Sequence, residues 1–178
     1  MFTHTARSGR VLSAAQLPLF KVRPPRDYGI FTTRGRRTGK KRSRCVRVVR
    51  RDDRAYLVAI KGASVTAWAK NALADPGVKL RLRDGTFEGT AREPRPDERE
   101  EARAAYSARV GWFERGEWRI WRDDPFTPEK SKEMHRHWFD TGTPFVVELA
   151  AQVPRRPAAW RAVRQRILVS VQSDQRPT

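Results

Sequence analysis

Residues 28–60, which read YGIFTTRGRRTGKKRSRCVRVVRRDDRAYLVAI, decide the fold of this chain. Three runs in this stretch are rich in β-branched, aromatic or alternating apolar residues and favour strands: 28–33, 42–50 and 55–60. Gly35 and Gly39 mark a turn between the first two runs, and Asp52-Asp53 marks a second turn. The stretch therefore predicts a meander of three strands.

The remainder of the chain adds further strands and short helices. Three strands are predicted at 78–83, 86–92 and 144–149. The Asp84-Gly85 pair predicts a hairpin turn between the first two of them. Helices are predicted at 64–73 with Ser64 as the N-cap, at 96–110 and at 127–139. This order predicts a mainly β protein with added helices, built on a six-stranded antiparallel barrel and not on βαβ units.

The length of 178 residues predicts a single domain with a core of its own. We assign the barrel to 28–152, a basic amino-terminal arm to 1–27, and a basic carboxyl-terminal helix and tail to 153–178. The apolar stripe predicted on that last helix suits docking on the protein's own core, on a second copy in a homodimer, or on a membrane surface. These three alternatives stay open.

Cysteine content and hydropathy predict the cellular compartment of the protein. Cys45 is the single cysteine, which excludes an intramolecular disulfide and a cysteine zinc cluster. The apolar residues of 11–20 are too few and too interrupted for a signal sequence or a membrane span. We expect a cytoplasmic protein, with peripheral contact at the inner membrane surface as an open addition.

Charge is the strongest compositional signal. The chain has 38 Lys and Arg against 20 Asp and Glu, a formal net charge of +18. Such a balance predicts an anionic partner: nucleic acid, an acidic membrane surface or a phosphate-bearing small molecule. Composition does not choose among the three.

The turn between the first two strands is the most basic part of the chain. Ten of the eighteen residues from 34 to 51 are Lys or Arg, and Gly35 and Gly39 let the loop turn its N–H groups towards an anion. The loop is not a P-loop, because only three residues separate the glycines and Lys41, not serine or threonine, follows Lys40. From the residues alone, a phosphate-binding loop and a solvated run of charge both remain open.

Several short motifs together point to a known family. They are Thr32-Thr33-Arg34-Gly35-Arg36-Arg37-Thr38-Gly39, Arg42, the strand ending in Lys61-Gly62, Trp68, Asn71-Ala72-Leu73 and Asp75-Pro76. In their order and spacing, over about 28–110, the chain resembles the deazaflavin (coenzyme F-420)-dependent nitroreductase and quinone reductase family. The resemblance implies a split β-barrel of the FMN-binding type. It also implies that reduced F-420 donates a hydride to a hydrophobic, electron-poor acceptor: a quinone, a nitroaromatic or an enone.

The same resemblance implies which residues bind the cofactor. They are Arg36, Arg37, Thr38, Gly39, Lys41, Arg42, Arg44, Val58, Ile60, Lys61, Gly62 and Trp68. In this interpretation the loop holds the phosphate, the strand ending at Ile60 passes the ring system, and Trp68 closes the pocket. FMN is the alternative cofactor, and we expect it to bind less well because it lacks the carboxylate tail that the arginines would pair with.

This chain departs from the family pattern on the acceptor side. Ile60 stands where the family has a small or hydroxyl-bearing residue, and Trp112 and Phe113 stand near the positions of family tyrosines. The acceptor pocket is therefore assigned to Tyr106, Trp112 and Phe113. The long segment 114–140 is rich in tryptophan, which suits either a lid over the acceptor or ordinary packing; its tryptophans are Trp118, Trp121 and Trp138.

Other chemistries find little support in the sequence. His135 and His137 lack a third ligand at metal-binding spacing, so no metal site is expected, and no nucleophile motif or catalytic residue is indicated. Two rivals to the reductase remain. One is a basic nucleic-acid-binding protein, and the other is a barrel that carries its cofactor without turnover.

Overall fold

The computed structural model describes residues 16–60, 66–122 and 124–152. Seven antiparallel strands form one sheet in the order β2-β1-β5-β6-β7-β4-β3. The strands are β1 Tyr28–Arg34, β2 Lys41–Arg47, β3 Val49–Arg51, β4 Arg54–Ala59, β5 Gly77–Arg81, β6 Thr86–Arg92 and β7 Thr143–Gln152. The mainly β fold class is confirmed, and the sheet is a curled half-barrel.

The predicted number of six strands is wrong, because the run 42–50 is two strands. Val48 separates β2 from β3, and its backbone N–H donates to the carbonyl of Asp27 across 3.0 Å. Strand β2 pairs with β1, whereas β3 pairs with β4 at the other edge of the sheet. Since one residue joins the two edge strands, the sheet must curl until its edges come close together.

Both predicted hairpin turns are confirmed. Arg51 pairs with Arg54 around the Asp52-Asp53 turn, and Asp52 adopts a positive φ of 51°. Strands β5 and β6 are joined through residues 82–85, where the N–H of Leu82 donates to the carbonyl of Gly85 across 2.7 Å. Local turn chemistry thus sets the register of these two strand pairs.

The helices differ from the prediction in their bounds. Residues 16–22 are helical (α1), and the other helices are α2 Ala67–Ala74, a 3-10 turn Pro96–Glu98, α3 Arg99–Ser107, α4 Trp112–Trp121 and α5 Pro128–Thr141. Thr66 and not Ser64 occupies the N-cap of α2, so that cap prediction is wrong. Thr127 caps α5 by accepting from the N–H of Lys130. Helix α4 was not predicted from the sequence, in which the tryptophans of 114–140 suited either a lid or ordinary packing.

Two apolar clusters lie on opposite faces of the curled sheet. Phe31, Leu57, Leu80 and Phe145 belong to the first cluster, on the inner face. The second lies between the sheet and helices α3 and α5, and Val58, Tyr106 and Phe139 belong to it. Alternation along β4 sends Leu57 to the first cluster and Val58 to the second.

Two further expectations concern the ends of the chain. The predicted carboxyl-terminal helix and tail, 153–178, lies outside the described residues, as do residues 1–15 of the amino-terminal arm. Within the described ranges, no helix is long and apolar enough to cross a membrane.

Candidate cofactor site

The basic loop between β1 and β2 is a tight turn closed by its own backbone. The N–H of Gly35 donates to the carbonyl of Lys40 across 2.9 Å, and the N–H groups of Thr38 and Gly39 both donate to the carbonyl of Gly35. Gly39 has φ +65°, which favours glycine, and a Cβ at Gly35 would lie 3.2 Å from the Lys40 carbonyl. The shape of this loop therefore favours glycine at both positions noted in the sequence.

Helix α2 holds the loop through Asn71. The Oδ1 atom of Asn71 accepts from the backbone N–H of Arg36 at 3.3 Å, and its Nδ2 donates to Oγ1 of Thr33 at 3.4 Å. An ion pair of 3.5 Å between Arg34 and Asp75 adds a second link between the loop and the end of the helix. Asn71 was not among the predicted site residues. The Asn71-Ala72-Leu73 motif was the available signal, but its partners are distant in sequence.

Arg42 and Arg44 lie on the inner face of the half-barrel. In the register of β1 and β2, Arg42 pairs with Thr33 and Arg44 pairs with Phe31. Because paired residues of neighbouring strands share a face, both arginines share the face of Phe31, which belongs to the inner cluster. Val46, two residues further along, packs against the same cluster. The structure thus brings the predicted loop and these two arginines to one side of the sheet.

Trp68 provides an aromatic wall beside these residues. Its ring centroid lies 5.2 Å from that of Phe31 and 5.5 Å from that of Phe145, and the side chain is half-buried. Phe31 is the cross-strand neighbour of Arg44, so Arg44 and the aromatic pair lie on the same face of the sheet. Positive charge and a partly exposed aromatic surface therefore occur together at this mouth of the half-barrel.

The basic side chains at this mouth have no acidic partners among the described residues, Arg34 excepted. No carboxylate of the described residues lies within 4.0 Å of their charged nitrogens, whereas Arg92 and Arg103 elsewhere on the protein are each paired with carboxylates. The unpaired residues are Arg36, Arg37, Lys40, Lys41, Arg42 and Arg44. Their charges are available to an anionic ligand.

The predicted residues at the end of β4 have different surroundings. The side chain of Val58 is buried in the second cluster, against the segment at Gly142 and away from the inner face. Ala59 belongs to the inner cluster, and Ile60 is half-buried just after the strand. Lys61 and Gly62 lie outside the described residues.

The three predicted acceptor residues are not gathered around the basic loop. Tyr106 is 1% exposed in the second cluster, and burial raises the pKa of its hydroxyl above the ordinary value. The ring of Phe113 lies 4.9 Å from that of Tyr28 at the start of β1, while Trp112 is 69% exposed beside it. The basic loop follows the other end of β1, about 20 Å away for a seven-residue strand.

The tryptophan-rich segment 114–140 forms helices α4 and α5. Trp118 is buried, its Nε1 donates to the carbonyl of Asp124 at 2.9 Å, and its ring packs edge-on against Phe126. The ring of Trp138 lies 5.6 Å from that of His135. The side chain of Trp121 lies outside the described part of the structure. These contacts are packing contacts within the helical layer.

A buried charged cluster that sequence reasoning missed fastens α4 to the body. Arg47 and Glu114 form an ion pair of 3.2 Å, and both side chains are about 5% exposed or less. Glu114 also accepts from Oγ of Ser131 at 2.7 Å and contacts Nε2 of His135. Burial opposes its charge, but hydrogen bonding to His135, Arg47 and Ser131 holds the pKa of Glu114 below its ordinary value.

His135 is thus part of a structural cluster. Burial lowers the pKa of its imidazole, with Arg47 acting in the same direction against the contact with Glu114. His137, on the same helix, is exposed. In the described ranges no group of three His, Cys, Asp or Glu side chains is placed to hold a metal ion.

A curled antiparallel half-barrel with added helices defines a class of protein, the split β-barrel proteins. The family model described as F420H(2)-dependent quinone reductase matches residues 19–116, which is more than half of the chain. The chain belongs to this family of oxidoreductases and is a deazaflavin-dependent reductase.

Solved structures with a similar fold accompany this family match. An F420-H2 dependent reductase is 25% identical, covering 69% of this chain and 95% of its own, with a TM-score of 0.47. A structure described as a domain-swapped dimer is 24% identical over 80% of this chain and 94% of its own, with a TM-score of 0.49. A heme binding protein from Mycobacterium smegmatis is 16% identical over 84% and 53%, with a TM-score of 0.46. No curated protein matches the chain.

Proposed function

We propose that this chain binds reduced coenzyme F-420 at the mouth formed by the basic loop and reduces a quinone there. The observation that carries the proposal is that Arg42 and Arg44, which have no acidic partner among the described residues, share the face of the Phe31–Trp68 aromatic pair beside the basic loop. A charged tail and an apolar ring system in one ligand would match these two surfaces. Family membership supplies the identity of that ligand.

The residues at this mouth fit the cofactor. F-420 has a phosphodiester and a carboxylate tail, and guanidinium groups are the preferred partners of both. The absence of a side chain at Gly35 and the positive φ of Gly39 keep the loop tight and its outer surface open. Arg36, Arg37 and Thr38 would hold the phosphate, and Arg42 and Arg44 would extend the positive surface along the inner face. Lys41 points to the opposite face of β2 from Arg42 by strand alternation.

The cofactor, when bound, supplies the hydride for the reduction. The protein's own residues would bind the cofactor, orient it and shield it from water. Asn71 fixes the loop, so the phosphate partners are held before the ligand arrives. Trp68, backed by the fully buried Phe31, would form an apolar wall beside the bound cofactor and help to exclude water, and the guanidinium groups of this mouth would stabilise negative charge that develops on the acceptor. This arrangement requires no catalytic side chain.

The acceptor we propose is a quinone, with a nitroaromatic or an enone as alternatives of similar electron demand. Trp112, the most exposed of the large apolar residues named for the acceptor side, remains our proposal for that side. Because it lies about 20 Å from the basic loop, at the other end of β1, it would meet an acceptor only at the end of the cofactor remote from the phosphate. Tyr106 and Phe113 would act on that side only by supporting neighbouring residues, since both are packed against other rings.

A titration followed by turnover tests the proposal. The fluorescence of F-420 is monitored as protein is added, with FMN and a short DNA duplex as competitors. We expect tight F-420 binding, at least tenfold weaker FMN binding and no displacement by DNA at physiological salt. Comparable FMN binding would move the protein to a flavin-dependent branch of the barrel, and displacement by DNA would favour the nucleic-acid alternative.

Turnover separates an enzyme from a carrier. Reduced F-420 is mixed with a soluble quinone, a nitroaromatic or an enone, and its reoxidation is followed by absorbance. We expect the quinone to be reduced with the highest kcat/KM. Tight binding without reoxidation by any of the three would establish the non-catalytic carrier instead.

A further inference from the structure

A second basic site lies at the end of β1 opposite to the basic loop. A cleft of about 620 Å³ opens there, and five arginines line it. We call it the arginine cleft, and its arginines are Arg23, Arg26, Arg50, Arg83 and Arg109. They come from the segment after α1, from β3, from the β5–β6 turn and from the α3–α4 connection. Four distant parts of the chain therefore converge on one opening.

The charge in the arginine cleft is only partly balanced by carboxylates. Asp27, Asp52 and Asp84 also line it, three aspartates against five arginines. Asp84 is already occupied, since its Oδ2 accepts from Nη1 of Arg50 at 2.6 Å. The four other arginines form no ion pair within 4.0 Å among the described residues. Converging like charges without partners is unfavourable, and a bound anion relieves the repulsion.

The walls of the cleft are held in place. Nε of Arg50 donates to the carbonyl of Asp52 at 2.8 Å, and its guanidinium lies 4.3 Å from the centroid of the Phe87 ring. Two non-glycine residues have positive φ in the described part of the chain, Asp27 at 62° and Asp52 at 51°, and both line this cleft. Both residues lie in turns, where aspartate tolerates this conformation.

We propose that the arginine cleft binds a phosphate-bearing anion with two or more negative charges, at a site separate from the basic loop. The volume is in the range of small-molecule sites. The arginine side chains offer planar, bidentate donors suited to phosphate oxygens. A free phosphorylated compound and a phospholipid headgroup present the same chemistry. A phospholipid headgroup is tested separately, because apolar residues exposed on the adjacent helices α1 and α4 could contact a membrane surface. These residues are Leu19, Val22 and Trp112.

The test uses the full chain and inorganic pyrophosphate as the probe, measured by isothermal titration at low salt. The cleft variant is Arg26→Ala/Arg83→Ala, and its control is Arg51→Ala/Arg119→Ala, which removes the same charge from exposed positions that do not line the cleft. The basic loop will also attract pyrophosphate. A loop variant, Arg36→Ala/Arg37→Ala, is therefore titrated in parallel, and the cleft and control changes are repeated within it.

Within the loop variant we expect pyrophosphate binding to persist and to fall at least tenfold when the cleft changes are added, because two charged contacts are lost. The control changes should alter it less than twofold. No binding to the loop variant, or equal losses from the cleft and control changes, would overturn the proposal. Neither result bears on F-420, which binds in the separate titration described above.

Vesicles identify the source of the phosphate. Co-sedimentation is measured with phosphatidylglycerol vesicles and with neutral phosphatidylcholine vesicles, for the cleft variant and its control. Loss of vesicle binding specific to the cleft variant, with competition by pyrophosphate, assigns a lipid headgroup. Equal vesicle binding by both variants, alongside specific loss of pyrophosphate, assigns a free phosphorylated compound.

Discussion

The side-chain Oδ1 of Asn71 accepts a hydrogen bond from the backbone N–H of Arg36 across 3.3 Å, so helix α2 holds the basic loop at its first arginine. Asn71 is itself buried, at 6% exposure. Its amide is therefore unavailable to solvent and committed to two partners, the loop and Thr33 on β1. This single residue couples the core of the half-barrel to the shape of the candidate phosphate site.

Replacing Asn71 with alanine tests this coupling. Asn71→Ala should weaken F-420 binding about tenfold, because the loop loses its link to α2, and should lower the free energy of unfolding by about 1–3 kcal/mol. Thr33→Val is the control, since it removes the other partner of the amide without touching the loop. It should lower stability and leave F-420 affinity within twofold. Equal effects of both variants on affinity would show that Asn71 acts through general stability alone.

Arg42 provides the sharpest test of the cofactor site. Arg42→Ala should reduce F-420 affinity about ten- to a hundredfold, corresponding to a charged contact of about 1.5–3 kcal/mol. Its side chain forms no ion pair among the described residues, so urea unfolding should change little. Raising the salt concentration should weaken the wild type more steeply than the variant. The exposed Arg51→Ala serves as the matched control. Wild-type F-420 affinity in Arg42→Ala would remove the main support for this site.

The buried His135 predicts how stability depends on pH. Its pKa is lowered in the folded protein by burial and Arg47. Below the ordinary pKa of about 6.5, the unfolded chain therefore binds a proton that the folded protein excludes. The free energy of unfolding should fall as the pH drops from about 7.5 to about 5, and the lowered pKa of Glu114 should add a further loss below about 4.5.

Urea unfolding at several pH values measures this slope. His135→Asn should flatten the dependence between about pH 7.5 and 5, whereas the exposed His137→Asn should leave it unchanged. Stability that instead rises on acidification would mean that Glu114 keeps the imidazole charged in the folded protein.

Alanine variants of Trp112 and Trp118 distinguish a role in acceptor contact from a role in packing. Trp112→Ala should leave stability within about 0.5 kcal/mol, because the side chain is 69% exposed, and should raise the KM for the quinone more than the dissociation constant of F-420. Trp118→Ala should lower the free energy of unfolding by about 3–5 kcal/mol, since that ring is buried. Steady-state kinetics and thermal unfolding report the two effects. Unchanged quinone kinetics in Trp112→Ala would remove this residue from the acceptor side.

Where local pattern was sufficient, the sequence predicted the structure well. The alternation of 78–83 and the Asp84-Gly85 turn became a hairpin in the expected place, and the helix expected at 127–139 begins directly after Thr127. The sequence predicted one unbroken strand over 42–50, but in the structure this run is interrupted at Val48. A bend there depends on which distant strands pair on either side, and no local propensity encodes that choice.

The sequence by itself determined most of the strands, the two hairpin turns, the basic turn with its two glycines and the excess of positive charge, because these depend on neighbouring residues and on composition. Only the tertiary structure decided that β2 and β3 lie at opposite edges, that Asn71 fastens the loop, and that Glu114 balances the buried Arg47. The same holds for the arginine cleft, whose members are separated by up to 86 positions, from Arg23 to Arg109. Burial and convergence of this kind arise from long-range packing, which a local pattern does not contain.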